Sequence, residues 1–180
     1  MGMFEKDFGF LRLAASAGGA PAGQVQWTLS DCLSRIPKPA AVSSCQILEA
    51  KVTGDQSTAP LELVVTLTAR EKPARFELAH GEWLYAAEGR IGKGVAAIGT
   101  HDAEWLATQR LPAAILSADV HDDVARLAIS LPQAVVRIGT SLRFAIAWVD
   151  DWAGKADLEV APWLALSHAL DLPDIPESRA

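Results

Sequence analysis

The chain has 180 residues, half of them apolar, and carries 16 Lys plus Arg against 22 Asp plus Glu, a formal charge of −6. Residues 1–180 are expected to share one core at that length, and the acidic balance argues against a sequence-independent nucleic-acid binder, which needs a surplus of Lys and Arg to neutralise phosphate, while leaving room for a local basic patch. No stretch approaches the roughly 18 consecutive apolar residues that would span a bilayer, so neither nucleic acid nor membrane is expected as a partner.

At the start, Glu5 and Asp7 stand where a signal peptide would be basic and Arg12 interrupts the apolar run, so the segment reads as an ordinary domain start. A cytoplasmic location is the default expectation, with secretion the alternative. Residues 18–23 form a Gly/Ala/Pro turn, Trp27 lies in an early strand facing the core, and residues 36–44 form a loop with Pro37 and Pro39. Cys32 and Cys45 are close enough in sequence for one bridge. Neither has a second Cys or a His at metal-ligand spacing, so they read as two reduced, partly buried thiols.

From there the dominant period is two, the mark of half-buried strands. Leu61, Leu63, Val65, Leu67 and Ala69 share one face of the clearest strand. Residues 75–80 set Phe76 and Leu78 against Arg75 and Glu77, and residues 83–87 alternate Trp83 and Tyr85 with Leu84 and Ala86. His80, Gly81 and Glu82 read as the hairpin connection between them. Thr100 is the expected N-cap of a short helix over residues 102–109, with Asp102 and Glu104 in its first turn and Pro112 beyond its end. Residues 116–121 and 125–131 alternate on either side of an Asp122-Asp123 turn, and residues 142–148 form a last strand ending at Asp150-Asp151. A second short helix is expected over residues 163–170, followed by an extended tail. About eight strands and one or two short helices indicate an all-β fold, a single antiparallel β-sandwich or jelly roll.

Enzyme signatures are weak. Residues 89–94 look like a phosphate loop, but Ala87 stands where the first Gly belongs and Gly94 where a Ser or Thr would reach magnesium. His80 and Glu82 match the His-x-Glu of zinc deaminases, yet no Pro-Cys-x-x-Cys follows to complete the zinc site. A Gly-x-Ser-x-Gly nucleophile elbow is absent. The cluster Asp119, His121, Asp122 and Asp123 has enough oxygen ligands for a divalent cation such as calcium. The competing reading is a hairpin turn, in which Asp bonds its own backbone. No other cofactor is expected.

Six Trp against one Tyr and five Phe is the unusual count. Trp148 continues the Leu142, Phe144, Ile146 stripe and belongs to the core, and Trp105 is expected to pack inward from its helix. Trp83, Tyr85 and Trp152 remain as candidates for stacking on a sugar, with His80, Glu82, Glu88 and Arg90 nearby to bond hydroxyls.

The run DVARLAISLPQAVVRIGTSLRFAIAWVDDWAGKADLEVAPW, residues 123–163, resembles the closing portion of family 9 carbohydrate-binding modules and the related DOMON-like domains. Ala128, Ile129, Ser130, Leu131 and Pro132 correspond to a strand ending in those families, and residues 142–151 with Trp163 correspond to the strand, acidic loop and final Trp that follow. The resemblance implies a β-sandwich that binds a sugar or, in some DOMON-like domains, haem. Because the only methionines, Met1 and Met3, are terminal, a His/Met haem pair is not expected. The sequence thus favours a non-catalytic domain for a glycan or other small molecule. Its rivals are an interaction protein that forms a homodimer through a sheet edge or face, and a jelly-roll hydrolase or isomerase gathering His80, His101 or His121 with carboxylates.

Overall fold

A computed structural model of the chain describes residues 3–19, 24–37, 42–54, 60–81, 83–153 and 155–171. Among them run β1 (Met3–Asp7), β2 (Leu11–Gly18), β3 (Val25–Asp31), β4 (Ser44–Val52), β5 (Leu61–Ala69), β6 (Ala74–Gly81), β7 (Leu84–Ile91) and β8 (Gly94–His101). Helix α1 (Ala103–Thr108), β9 (Ile115–His121), β10 (Val124–Leu131), β11 (Ser141–Val149) and helix α2 (Ala156–Ala169) follow. The strands make two sheets, ordered β1-β2-β5-β10-β9 and β3-β4-β11-β8-β7-β6, with every neighbouring pair antiparallel. The expected all-β sandwich is the observed fold. No helix among the described residues is long and apolar enough to cross a membrane.

Alternation explains the main core. Leu61, Leu63, Val65 and Leu67 of β5 are buried, and the register places Val65 opposite both Leu127 of β10 and Ala15 of β2. The six-stranded sheet answers with Leu48, Ile98, Phe144, Ile146 and Trp148. Each large aliphatic side chain taken out of water stabilises by about 1.5–3 kcal/mol, which sets the register, since a slip by one residue would expose the whole stripe.

A second, smaller core lies on the outer face of the six-stranded sheet, where α2 packs on β4, β8 and β11. The strands meet it with small residues, Ala86, Ala97, Gly99, Ala145 and Ala147, beneath Ala165, Leu166 and Ala169. A Cβ on Gly99 would stand 3.0 Å from both Leu166 Cδ1 and Ala86 Cβ, so glycine sets how closely the helix approaches.

This third layer accounts for much of what periodicity missed. β8, reading GVAAIGTH, is buried from Gly94 through Thr100 on both faces and therefore shows no alternation. Thr100 is consequently a strand residue whose hydroxyl donates to Arg143 O at 2.8 Å. Asp102 caps α1 instead, its carboxylate accepting from Trp105 N–H at 2.8 Å. α2 begins at residue 156, seven residues before the expected start, with Pro162 inside it. The strands β1, β2 and β4 were not foreseen as such; β2 is the Ala-rich stretch read as an ordinary domain start. The tail beyond Asp171 lies outside the described residues.

Candidate functional site

Trp83 is the first correction. It does not share a strand face with Tyr85, because it sits in the β6–β7 turn with φ 64°, a left-handed conformation uncommon for a bulky residue. Its carbonyl accepts from Asp102 N–H at 2.9 Å, and its ring packs edge-on to Trp105 with centroids 5.9 Å apart. Trp83, Trp105 and Trp163 all pack against the α2 core. Tyr85 instead packs partly against the main core, 5.1 Å from the His80 ring that lies opposite it in the register. Burial raises its phenol pKa. Trp27 also packs against the main core, and Glu82 lies outside the described residues. Trp83, Tyr85 and Trp152 therefore do not form one stacking surface.

Arg90 and Trp152 do come together. The outer-face positions of β7 run Leu84, Ala86, Glu88, Arg90, and they turn from apolar to charged beyond the residues packed against α2. The loop after β11 folds over this charged end, tied to the β7–β8 turn by Trp152 N–H donating to Lys93 O at 3.0 Å. Half-buried Trp152 lies under the Arg90 guanidinium, whose carbon is 4.8 Å from the ring centre.

Strand β6 extends the cluster with Arg75 and Glu77, paired Nε to Oε1 at 3.0 Å. The register sets Arg75 directly opposite Arg90 and Glu77 directly opposite Glu88. Like charges thus face each other across the strands while opposite charges alternate along them. Directly opposed like charges are destabilising in an antiparallel pair, and here Arg75 is paired along its strand with Glu77. Arg75, Glu77, Glu88, Arg90 and Val95 line a cavity of about 230 Å³. Chemically it offers two guanidiniums as fixed donor forks and two carboxylates as acceptors, beside an indole. Sequence reading took Arg90 and Trp152 but missed Arg75 and Glu77. Their signal was the mirrored spacing Arg-x-Glu on β6 and Glu-x-Arg on β7, which gains meaning only with the register.

The candidate cation cluster separates. Asp119 pairs with His121 at 3.2 Å, and Asp123 reaches across to Lys72 Nζ at 2.9 Å, which holds its carboxyl below the ordinary range. Asp122 is an exposed turn residue whose carbonyl accepts from Phe76 N–H at 3.2 Å. Among the described residues no three His, Cys, Asp or Glu are grouped to hold a metal. The histidines of the hydrolase alternative also lie apart: His80 is beside Tyr85, His121 beside Asp119, and His101 against α1 and the end of α2.

Cys32 and Cys45 are buried free thiols with their sulfurs 3.1 Å apart. That hydrogen bond lowers the Cys32 pKa and raises that of Cys45. No family model matches the chain, and no curated protein matches it.

Proposed function

We propose that this chain is a non-catalytic carbohydrate-binding β-sandwich whose sugar site is the charged outer face of β6 and β7 beside Trp152. The observation that carries the reading is the juxtaposition of Trp152 with the Arg75, Glu77, Glu88, Arg90 quartet around a cavity of about 230 Å³. A sugar ring presents neighbouring hydroxyls that both donate and accept. Two carboxylates take the donated protons and two guanidiniums supply fixed forks to the oxygens, while the indole offers an apolar edge to ring C–H groups. The resemblance of residues 123–163 to carbohydrate-binding modules supports the same reading, since Trp152 lies within it.

Titration calorimetry of the intact chain against a glycan panel tests this. Binding should lie in the micromolar to millimolar range, about −8 to −4 kcal/mol, and Trp152→Ala and Arg90→Gln should each weaken it at least tenfold. Absence of heat with every sugar, or equal affinity in Trp152→Ala, overturns the reading.

A further inference from the structure

A larger cavity, about 520 Å³, lies between the end of α1, the β10–β11 connection and the end of α2. It is within the size range of small-molecule sites and its chemistry differs from that of the sugar face. Three arginines line it, Arg110, Arg137 and Arg143, with Asp171 the one acid among the lining residues described. Asp171 is engaged by Arg143 at 3.2 Å. Neither Arg110 nor Arg137 has a carboxylate partner among the described residues, whereas Arg12, Arg70 and Arg75 are paired at 2.6, 2.7 and 3.0 Å. A chain of net charge −6 thus gathers in one concavity two arginines that have no carboxylate partner among the described residues.

Both arginines stand at turns of the backbone. Arg110 follows α1 with φ 66°, the left-handed position that helices usually close with Gly at lower cost. Arg137 sits in a closed turn: its N–H donates to Thr140 Oγ1 at 3.0 Å, the Thr140 N–H returns to Arg137 O at 2.9 Å, and one guanidinium N–H donates to Val136 O at 2.9 Å. Among the described residues, no acceptor takes the other donors of either fork. Leu111 and Leu142, both buried, supply an apolar floor.

We propose that this groove binds a small molecule carrying an oxyanion, its phosphate or carboxylate group held between Arg110 and Arg137. Planar guanidiniums match both groups in bidentate geometry. The site is separate from the sugar face, since His101 and Val95 stand about 20 Å apart along β8 at roughly 3.3 Å per residue.

The test is a thermal-shift and calorimetric titration of the intact chain with inorganic phosphate and, in a second arm, with citrate, each against sodium chloride at matched ionic strength. A saturable rise in melting temperature beyond the chloride control is expected with at least one probe. Response to phosphate alone assigns a phosphate ligand, and response to citrate alone assigns a carboxylate. Arg110→Gln combined with Arg137→Gln should weaken binding at least tenfold, whereas Trp152→Ala should leave it unchanged. No saturable response to either probe, or equal affinity in the double variant confirmed folded by circular dichroism, overturns the proposal. Both arginines are exposed, so the variant is expected to fold.

Discussion

The imidazole of His101 lies parallel to the indole of Trp105, with 5.5 Å between ring centroids and 7° between planes. Its Nε2–H donates to the Leu170 carbonyl at 2.9 Å, so this one side chain joins the end of β8 to both helices. Burial is the largest influence on its pKa and lowers it, outweighing the Leu170 bond that raises it.

A pH dependence follows from that shift. The unfolded chain takes up a proton on His101 near the ordinary value of about 6.5, while the folded chain resists protonation until lower pH. The unfolded state therefore binds more protons in that window, and stability falls as pH drops below about 6.5. Melting temperatures measured from pH 7.5 to 5 should decline, and His101→Gln should flatten the decline. An unchanged slope in the variant would show that another group is responsible.

The contact of Cys32 with Cys45 predicts a disulfide under oxidation. Glutathione disulfide should take two electrons and two protons from the pair, joining sulfur to sulfur and releasing two glutathiones. The thiols are 1% and 0% exposed, so the exchange should be slow and should accelerate in mild denaturant. Closing a loop of this length stabilises by about 3 kcal/mol in the chain-entropy view. Intact mass under non-reducing conditions should show loss of two hydrogens with a raised melting temperature; a persistent glutathione adduct would contradict this.

Gly99 is expected to govern the seating of α2. Gly99→Val places methyl groups where Leu166 and Ala86 already approach to 3.0 Å of a Cβ, and overpacking of this kind costs about 1–3 kcal/mol. Urea denaturation should record a loss in that range. A neutral result would mean that the helix layer yields freely.

Asp102→Ala removes the N-cap of α1, leaving Trp105 N–H without its carboxylate acceptor. Loss of such a cap costs about 1 kcal/mol, and Asp102→Asn, which keeps an acceptor oxygen, should recover most of it. Equal stability of the Ala variant and the parent would assign the helix start to packing of Leu106 instead.

Much of the fold was legible locally. The alternation of Leu61 to Ala69 defined β5 to the residue, and the Asp122-Asp123 turn between two alternating runs located the β9–β10 hairpin. Strands with one wet face announce themselves because burial and exposure must alternate. The strand β8 did not, since two dry faces erase the pattern. The site was less legible than the fold. Alternation placed Arg75 and Glu77 on one strand, but the next strand was read only as far as Ala87, so Glu88 and Arg90 fell outside it, and whether like or opposite charges meet depends on register, which the hairpin sets.

The Trp excess divides along the same line. Composition alone established an acidic, apolar-rich chain, the alternating runs indicated a β-sandwich, and the period-two stripe assigned Trp148 to its core. The sequence also turned Trp27 and Trp105 inward, as the structure does; only the tertiary structure decided which core each joins and where Trp83, Trp152 and Trp163 lie. It gathered Trp83, Trp105 and Trp163 against the α2 core, packed Trp27 against the main core, and left Trp152 half-exposed beneath Arg90. The physical reason is that α2 packs over β4, β8 and β11 but leaves the charged end of β6 and β7 open. Which aromatic side chains meet water therefore depends on where a helix distant in sequence comes to lie.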